Sequence, residues 1–207
     1  MPTRATRFAL LTGAVLLALL GRWGGADRLP GLPQARAEQP AAIEFGPHDW
    51  PFWRGPTRNG IAPAGPLAPV EFGEKQRVLW RTAIPGKGHG SPTVVGNQVL
   101  LTVADAEKGT QAVVCLDRES GKEQWQTVVH QGGLTTKGNA KSSLASSSVA
   151  CDGQAIYASF LNAEAIWLTA LDRQGQRLWQ TRVTDYALHQ GFASSPAVHR
   201  HLVYVTA

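Results

Sequence analysis

Two aspartates, Asp117 and Asp172, occupy the same place in two nearly identical phrases of the sequence. The first phrase, LDRESGKEQWQT, runs from Leu116 to Thr127, and the second, LDRQGQRLWQT, runs from Leu171 to Thr181. A carboxylate in such a place can act as an acid or base, or it can accept backbone N–H groups where a turn begins. Because a glycine and then a strand-like run follow each aspartate, the pattern favours the turn.

Isolated basic residues are the other candidates for chemistry. His89, Lys141 and His189 each precede a run of small residues, where loops could line a binding site. A lone basic residue in a loop is more often simply solvated, and that alternative stays open here. His199 and His201 alternate across a predicted hairpin turn and are expected at the surface rather than on a metal.

The sequence has two cysteines, Cys115 and Cys151. In an oxidising compartment two thiols can form a disulfide. Each cysteine also suits a small position in a core or turn, so the sequence leaves the pairing open. Neither follows the apolar run near the N-terminus, and we therefore expect no lipid attachment there.

The N-terminus predicts an export signal over residues 1–37. Arg4 and Arg7 precede an apolar run from Phe8 to Leu20, which is short for a membrane span, and the small-residue pattern from Ala35 to Ala37 suggests cleavage. An uncleaved anchor is the alternative. Without this segment the chain holds 15 basic and 14 acidic residues, which leaves no basic stripe. We therefore expect a periplasmic or secreted protein with no nucleic-acid partner and no transmembrane domain beyond the signal segment.

Short runs rich in β-branched residues fill the rest of the chain from Val78 onward, and none keeps a helical period. Four runs joined by tight turns occupy residues 91–128, and the same order returns over residues 146–183. A half unit follows over residues 194–207. The chain is therefore predicted to be all-β. An unusually long connection, from His130 to Ser143, joins the two complete units and suits either a functional or a mobile loop.

Residues 38–77 differ in texture, because they are rich in proline and glycine. Several prolines exclude a regular helix there. The aromatic cluster DWPFWRGPTRNG, from Asp49 to Gly60, predicts an extended segment held to a surface by Trp50, Phe52 and Trp53.

Equivalent residues recur about every 45 to 55 residues along the chain, which matches the blade period of a β-propeller. The first strand of each unit is written with small residues, GSPTV, SSSVA and SSPAV, as sheets crowded around a shared axis require. We therefore predict a β-propeller of four-stranded antiparallel blades, of which this chain holds about two and a half. A lone phrase over residues 78–82, with Trp80, predicts the outer strand of another blade.

The repeated phrase has a physical role in such a ring. Gly121 and Gly175 supply the left-handed conformation that closes each turn, and the next strand carries Trp125 or Trp179. An indole suits a gap between two sheets that one side chain must fill. We expect both indoles to be buried, so that truncation of either to alanine costs about 3–5 kcal/mol. Gly121→Val is expected to cost about 1–2 kcal/mol or more.

These residues resemble the tryptophan-docking signature of pyrroloquinoline quinone (PQQ) repeat propellers, Ala-x-Asp-x-x-Thr-Gly-Lys-x-x-Trp. The first copy places at these positions Cys115, Asp117, Ser120, Gly121, Lys122 and Trp125. The second copy, shorter by one turn residue, has Ala170, Asp172, Gly175 and Trp179. The DWPFWRGPTRNG opening is similar to that of secreted bacterial PQQ-binding-like β-propeller repeat proteins.

The resemblance implies one of two functions. The first is an exported, non-catalytic scaffold or binding platform for a protein or small-molecule partner. The resemblance extends to the outer-membrane β-barrel assembly lipoprotein, although its lipid-bearing cysteine is missing here. The second is part of a PQQ-dependent quinoprotein dehydrogenase that oxidises an alcohol or sugar.

The residues favour the platform over the enzyme. Quinoprotein dehydrogenases need a carboxylate base and oxygen ligands for Ca²⁺, and often an adjacent cysteine pair. This sequence has no adjacent cysteine pair, no calcium-loop spacing and no Cys-x-x-Cys-His haem motif. PQQ with calcium is therefore implied by the resemblance alone, and we assign no catalytic, cofactor-binding or metal-binding residue.

Members of the family close a ring of about seven or eight blades. The chain is therefore expected to be a fragment. An open arc exposes blade faces and strand edges. Residues 38–207 expressed alone are accordingly predicted to aggregate or stay partly unfolded.

Overall fold

The computed structural model describes residues 44–65, 69–135, 142–187 and 191–207. These residues contain ten β-strands and no helix. The strands are β1 (Thr93–Val95), β2 (Gln98–Asp105), β3 (Thr110–Asp117), β4 (Glu123–Gln131), β5 (Ala150–Cys151), β6 (Ala155–Asn162), β7 (Ala165–Asp172), β8 (Arg177–Asp185), β9 (Ala197–His199) and β10 (Leu202–Tyr204).

The strands form two four-stranded sheets and one hairpin. The sheets have the orders β1-β2-β3-β4 and β5-β6-β7-β8, and β9 pairs with β10; every pairing is antiparallel. Consecutive strands are therefore neighbours, as the tight turns predicted. The all-β propeller class is confirmed. We call the three sheets blade 1, blade 2 and the half blade.

Burial changes from the inner to the outer strand of each blade. In β3 every residue is buried except the last, whereas β8 has no buried residue. A strand that is covered on both faces has a nearly continuous apolar sequence, whereas an outer strand is more polar. This explains why TQAVVCLD, the third strand of blade 1, and RLWQTRVTD, the outer strand of blade 2, differ so much in composition.

The largest apolar cluster lies between the two complete blades. Leu100, Val113 and Cys115 of blade 1 belong to it together with Ile156 and Phe160 of blade 2. A second cluster covers the other face of blade 1, where Val99, Val114 and Leu116 pack beneath Trp80 and Ile84. Blade 1 is thus covered on both faces, by blade 2 on one side and by the segment that contains Trp80 and Ile84 on the other.

The half blade covers the remaining face of blade 2. Val198 and the partly buried Val203 pack near Ala150, while Phe192 joins Leu161 and Ile166. The innermost strand of each unit is short, at two or three residues. Blade 2 is therefore enclosed near its inner strands and less covered toward β8.

The lone strand predicted over residues 78–82 is not found, because these residues belong to no sheet. A strand is stabilised by the ladder that it makes with a neighbour. No other described segment pairs with these residues. Their side chains nevertheless pack on blade 1, through Trp80.

The N-terminal aromatic segment, residues 44–60, which we call the strap, contacts the innermost strand of all three units. Trp50 exchanges two backbone hydrogen bonds with Val94 of β1, at 2.7 and 3.0 Å. The Pro51 carbonyl accepts from the Cys151 amide of β5 at 2.9 Å. The Arg58 guanidinium donates to the carbonyl of Val198 in β9.

Two further side chains anchor the strap. Phe52 is buried in the cluster that contains Ala150 and Val198. Asp49 is also buried, and its carboxylate accepts the Gly96 amide at 2.8 Å in the turn after β1. Trp53, in contrast, is 56% exposed, so the expectation that it holds the segment down is wrong.

Substitution of Phe52 is expected to loosen the inner strands that the strap joins. In Phe52→Ala, amide exchange at Cys151 and Val94 should rise about tenfold or more, because their partners lie in the strap. The matched variant Trp53→Ala removes a larger but exposed ring and should leave both amides unchanged. Hydrogen exchange read by mass spectrometry makes the comparison. Equal exchange in the two variants would show that the strap does not restrain the inner strands.

The two cysteines are buried, unpaired thiols. Burial raises the pKa of both Cys115 and Cys151 to about 11. Both side chains lie in the cluster between the blades. In this structure they serve as small core residues, one of the two possibilities that the sequence left open.

Residues 1–43 lie outside the described residues, and with them the predicted export signal. No helix in the described part of the chain combines the length and apolarity that a membrane crossing needs.

Candidate functional site

The first joint between units is built by Trp80 and the turn at the end of β3. The indole nitrogen donates to the Arg118 carbonyl at 2.9 Å, and Thr82 donates to the Gly121 carbonyl at 2.6 Å. Gly121 has φ +70°, and a Cβ there would lie 2.4 Å from the Trp80 ring. The glycine is therefore needed both for its conformation and for the space that the indole fills.

The second joint repeats the first between the two blades. The Trp125 indole nitrogen donates to the Arg173 carbonyl at 3.2 Å, and Thr127 donates to the Gly175 carbonyl at 2.6 Å. Gly175 has φ +82°, and its Cβ would lie 2.6 Å from the Trp125 ring. We call this arrangement the docking joint: a tryptophan, the threonine two residues later, and the glycine turn of the following unit.

Trp179 does not form a docking joint among the described residues, and its predicted burial is wrong. Its ring is 43% exposed and lies 6.1 Å from the Tyr157 ring, centroid to centroid. Thr181, the corresponding threonine, is exposed as well. The physical reason is that the half blade contributes two strands here and no glycine turn between a third and a fourth.

The threonines of the docking joint were missed in the sequence. The signal was available, because each of Trp80, Trp125 and Trp179 is followed two residues later by a threonine. The left-handed turn directs its glycine carbonyl toward the preceding segment, and the threonine hydroxyl of that segment donates to this carbonyl. The repeated phrase therefore ends with a functional residue of the joint.

The repeated aspartates close turns, as predicted from the sequence. The Asp117 carboxylate accepts the Ser120 amide at 2.7 Å and its hydroxyl at 2.6 Å, and Asn97 also donates to it. Asp172 accepts the amides of Gln174 and Gln176 at 2.9 and 2.7 Å. Both carboxylates are occupied by their own turns, which argues for an architectural role.

The hydrogen bonds from Ser120 hold the pKa of Asp117 below its usual value. A carboxyl with a lowered folded-state pKa stabilises the fold above its unfolded pKa, and this contribution is lost as pH falls through the folded value. Asp117→Asn keeps one acceptor oxygen and should reduce stability slightly. It should also reduce the loss of stability below about pH 4. Urea unfolding at pH 7 and pH 3 measures both effects; a pH dependence identical to wild type would contradict this assignment.

Arg173 is a second residue that the sequence analysis missed. Its guanidinium donates to the Val95 carbonyl at 2.9 Å and to the Gly153 carbonyl at 3.1 Å, and its Nε donates to Gln98. Arg173 thus bridges the turns of blades 1 and 2 on the side of the docking joint. The signal was the shared Leu-Asp-Arg in both phrases, since Arg118 is its equivalent.

Arg173 and Arg118 offer a matched pair for measurement. Arg173→Met should lower stability by about 1–3 kcal/mol, because two charged hydrogen bonds to blade 1 and one within blade 2 are lost while the aliphatic stem is kept. The Arg118 side chain donates to the Gly96 carbonyl at 3.3 Å within blade 1, so Arg118→Met should have the smaller effect. Denaturant unfolding compares the two; equal losses would mean that the bridge between blades is unimportant.

Serines connect the inner strands of successive units. The Ser91 amide donates to the Ser148 hydroxyl at 2.8 Å, and the Ser148 amide donates to the Ser195 hydroxyl at 2.9 Å. Close packing accompanies this chain of bonds, since a Cβ on Gly90 would lie 2.5 Å from the Ser147 carbonyl oxygen. The sequence predicted small residues here because of crowding, but it did not predict the hydrogen bonds between serines of successive units.

The predicted channel-mouth residues are only partly placed. His89 is exposed, and its backbone amide donates to the Ala145 carbonyl at 2.9 Å between the two blades. Lys141 and His189 lie outside the described residues, so the structure does not bring the three together. His199 and His201 are exposed at the β9–β10 hairpin.

A cleft of about 480 Å³ lies between the segment that precedes blade 1, the β2–β3 turn and the entry to blade 2. Its polar lining consists of Lys87, Asp105, Glu107, Ser142 and Ser143. Asp105 is bound to its own turn, because its carboxylate accepts the amides of Glu107 and Lys108 at 3.0 Å each. The cleft therefore presents a lysine, an exposed glutamate and hydroxyls.

The residues in hand do not fit the calcium that PQQ requires. Within the described ranges no three His, Cys, Asp or Glu side chains are grouped closely enough to hold a metal ion. We therefore assign no residue to PQQ or calcium and no chemical step to either.

Four-stranded antiparallel blades, joined by tryptophans that dock on the glycine turn of the next blade, define the class as a PQQ-repeat β-propeller. The family model described as "Outer membrane protein assembly factor BamB" matches residues 73–207. The chain belongs to this PQQ-repeat family.

Three known proteins illustrate the similarity. A polyvinylalcohol dehydrogenase from a Pseudomonas species is 25% identical over 174 residues, which are 84% of this chain and 25% of that protein. BamB from Moraxella catarrhalis is 20% identical with a TM-score of 0.42, over 61% of this chain and 33% of that one. A europium-containing methanol dehydrogenase is 19% identical with a TM-score of 0.39, over 60% and 21%. The chain thus spans about a quarter of its curated relative's length.

Proposed function

We propose that the chain is part of an exported, non-catalytic propeller that serves as a binding platform for a protein partner. The observation that supports this most directly is the use of the signature residues. Asp117, Gly121, Trp125 and Gly175 are all occupied by turns or docking joints. The repeated phrase is explained by architecture, which leaves loops and outer strands for recognition.

The family assignment supports a partner that is itself a protein. The matching family model is described as an assembly factor of the outer membrane. The outer strand β8 also carries Leu178, which is 55% exposed. Apolar side chains exposed on an outer strand suit contact with another polypeptide. Export follows from the signal predicted over residues 1–37.

The alternative is part of a PQQ-dependent dehydrogenase that oxidises an alcohol or sugar. Similarity to a polyvinylalcohol dehydrogenase favours it, although this chain spans only 25% of that protein. In that case a site would have to draw ligands from outside the described residues. Fold alone does not decide between these functions.

Addition of PQQ and Ca²⁺ to the protein tests the proposal. A platform should show no saturable change in the quinone absorption spectrum and no reduction of an electron-accepting dye with alcohols or sugars. The Ca²⁺-free sample is the matched control. Saturable, Ca²⁺-dependent binding of PQQ would reject the platform and support the enzyme.

A further inference from the structure

One ionisable side chain is partly buried in the joint between the two blades without an evident role in the docking joint. His130 lies near the end of β4, and its Nε2 atom is buried with no hydrogen-bond partner. Buried polar groups are normally hydrogen-bonded, and an exception calls for an explanation. The surroundings of this imidazole supply one.

Two aromatic rings of blade 2 enclose the His130 ring. Phe160 of β6 lies 6.0 Å away and Trp167 of β7 lies 5.7 Å away, centroid to centroid, both in edge-on geometry. Blade 1 contributes the histidine and blade 2 the aromatic rings, so the contact spans the interface. A neutral imidazole packs there as an aromatic ring, whereas an imidazolium would need water or an acceptor that Nε2 does not have.

The charged groups around His130 do not favour its protonation. Arg177 of β8 is the charged residue whose field reaches the ring. Arg182 of β8 lies opposite Trp167 in the ladder, and its guanidinium is paired with Asp185. From β3 the neighbour in register is the neutral Gln111. Burial, and then Arg177, lower the pKa of His130 to about 4.

A network of amides lies next to this contact and also joins the blades. Gln111 donates to the carbonyls of Leu144 and Leu161 at 2.8 and 3.0 Å. Asn162 donates to the Gln111 side-chain oxygen at 3.1 Å and to the Gly132 carbonyl at 2.8 Å. A disturbance at His130 is therefore adjacent to the bonds that hold β4 against blade 2.

We propose that His130 makes the interface between blades 1 and 2 sensitive to acid: protonation of its imidazole loosens the contact of β4 with β6 and β7. The sign follows from the lowered pKa. Between an unfolded pKa near 6.5 and the folded value, the unfolded chain binds more protons, so stability is full at neutral pH and falls as the solution is acidified.

The test compares wild type and His130→Gln in their free energy of unfolding, measured by denaturant titration at pH values between 7 and 4. Glutamine is polar but does not titrate in this range. The unfolding equilibrium constant of wild type should rise about tenfold to a hundredfold more than that of the variant, a range reduced to allow for partial exposure of the ring. His201→Gln, which removes an exposed histidine, should behave like wild type.

A second measurement does not depend on the variant folding. In wild-type protein labelled at its histidines, the ring signals of His130 should titrate below about pH 5, while a solvated histidine titrates near 6.5. Loss of blade contact should appear as faster amide exchange in β4 and β6 at the lower pH, after correction for the intrinsic rate. A normal titration of His130, or equal pH dependence in wild type and His130→Gln, would overturn the proposal.

Discussion

Replacement of Gly175 by alanine should destabilise the protein by about 3 kcal/mol or more, because two effects act at one position. The residue has φ +82°, which is unfavourable for any side chain. A Cβ would also lie 2.6 Å from the Trp125 ring and 2.9 Å from the Thr127 hydroxyl. The indole could avoid the added methyl only by leaving its place, which would break its bond to the Arg173 carbonyl.

Gly132 is a matched control for this substitution. It has φ +74°, and a Cβ there would meet no atom within 4 Å. Gly132→Ala therefore carries the backbone effect alone, about 1 kcal/mol. Urea unfolding of both variants therefore separates the steric clash with Trp125 from the backbone strain that the two positions share. Equal losses would show that the indole does not fill the space above Gly175.

Truncation of Trp125 to alanine should cost about 3–5 kcal/mol. The indole packs against the cluster between the blades and donates its N–H to the Arg173 carbonyl. Its removal empties the space above Gly175 and leaves that carbonyl without its indole donor. Loss of the ring should therefore weaken one specific contact, that between blade 1 and blade 2.

Trp179→Ala provides the comparison, since the two residues are equivalent in sequence but not in surroundings. Trp179 is 43% exposed and has no docking joint among the described residues, so its truncation should cost roughly 1 kcal/mol. Denaturant unfolding of the two variants measures the difference. Similar losses would mean that the docking joint contributes little beyond general burial. If both variants aggregate, the rate of proteolytic cleavage in β4 and in the turn of blade 2 gives the same comparison.

The sequence was sufficient for the class of fold. Turn residues at fixed offsets and continuous apolar runs defined four strands per unit, and the recurrence of Trp125 and Asp117 defined the repeat. These signals are local, because a turn or a buried strand needs the same residue types wherever it occurs. Local signals also predicted the left-handed Gly121 and Gly175 and the capping role of Asp117.

Contacts between units were harder to predict, because a pattern within one unit does not show what its neighbour presents. Trp179 has the same sequence context as Trp125, yet its burial depends on a turn supplied by another blade. Residues 78–82 form no strand among the described residues for the same reason, since a ladder needs a partner. His130 gave no signal by type alone, and Arg173 was marked only by the repeated Leu-Asp-Arg. The role of each depends on the other blade: rings of blade 2 surround His130, and the Val95 carbonyl of blade 1 accepts from Arg173.

The docking joint has a direction, since each tryptophan reaches the glycine turn of the unit that follows it. Every complete unit therefore carries a tryptophan for the unit that follows it and a glycine turn for the tryptophan of the segment that precedes it. Duplication of one whole unit within a gene would preserve all existing connections and add one more of the same kind. Propellers with different numbers of blades can thus be built from copies of one unit of about 45 to 55 residues, with the same type of contact at each new joint.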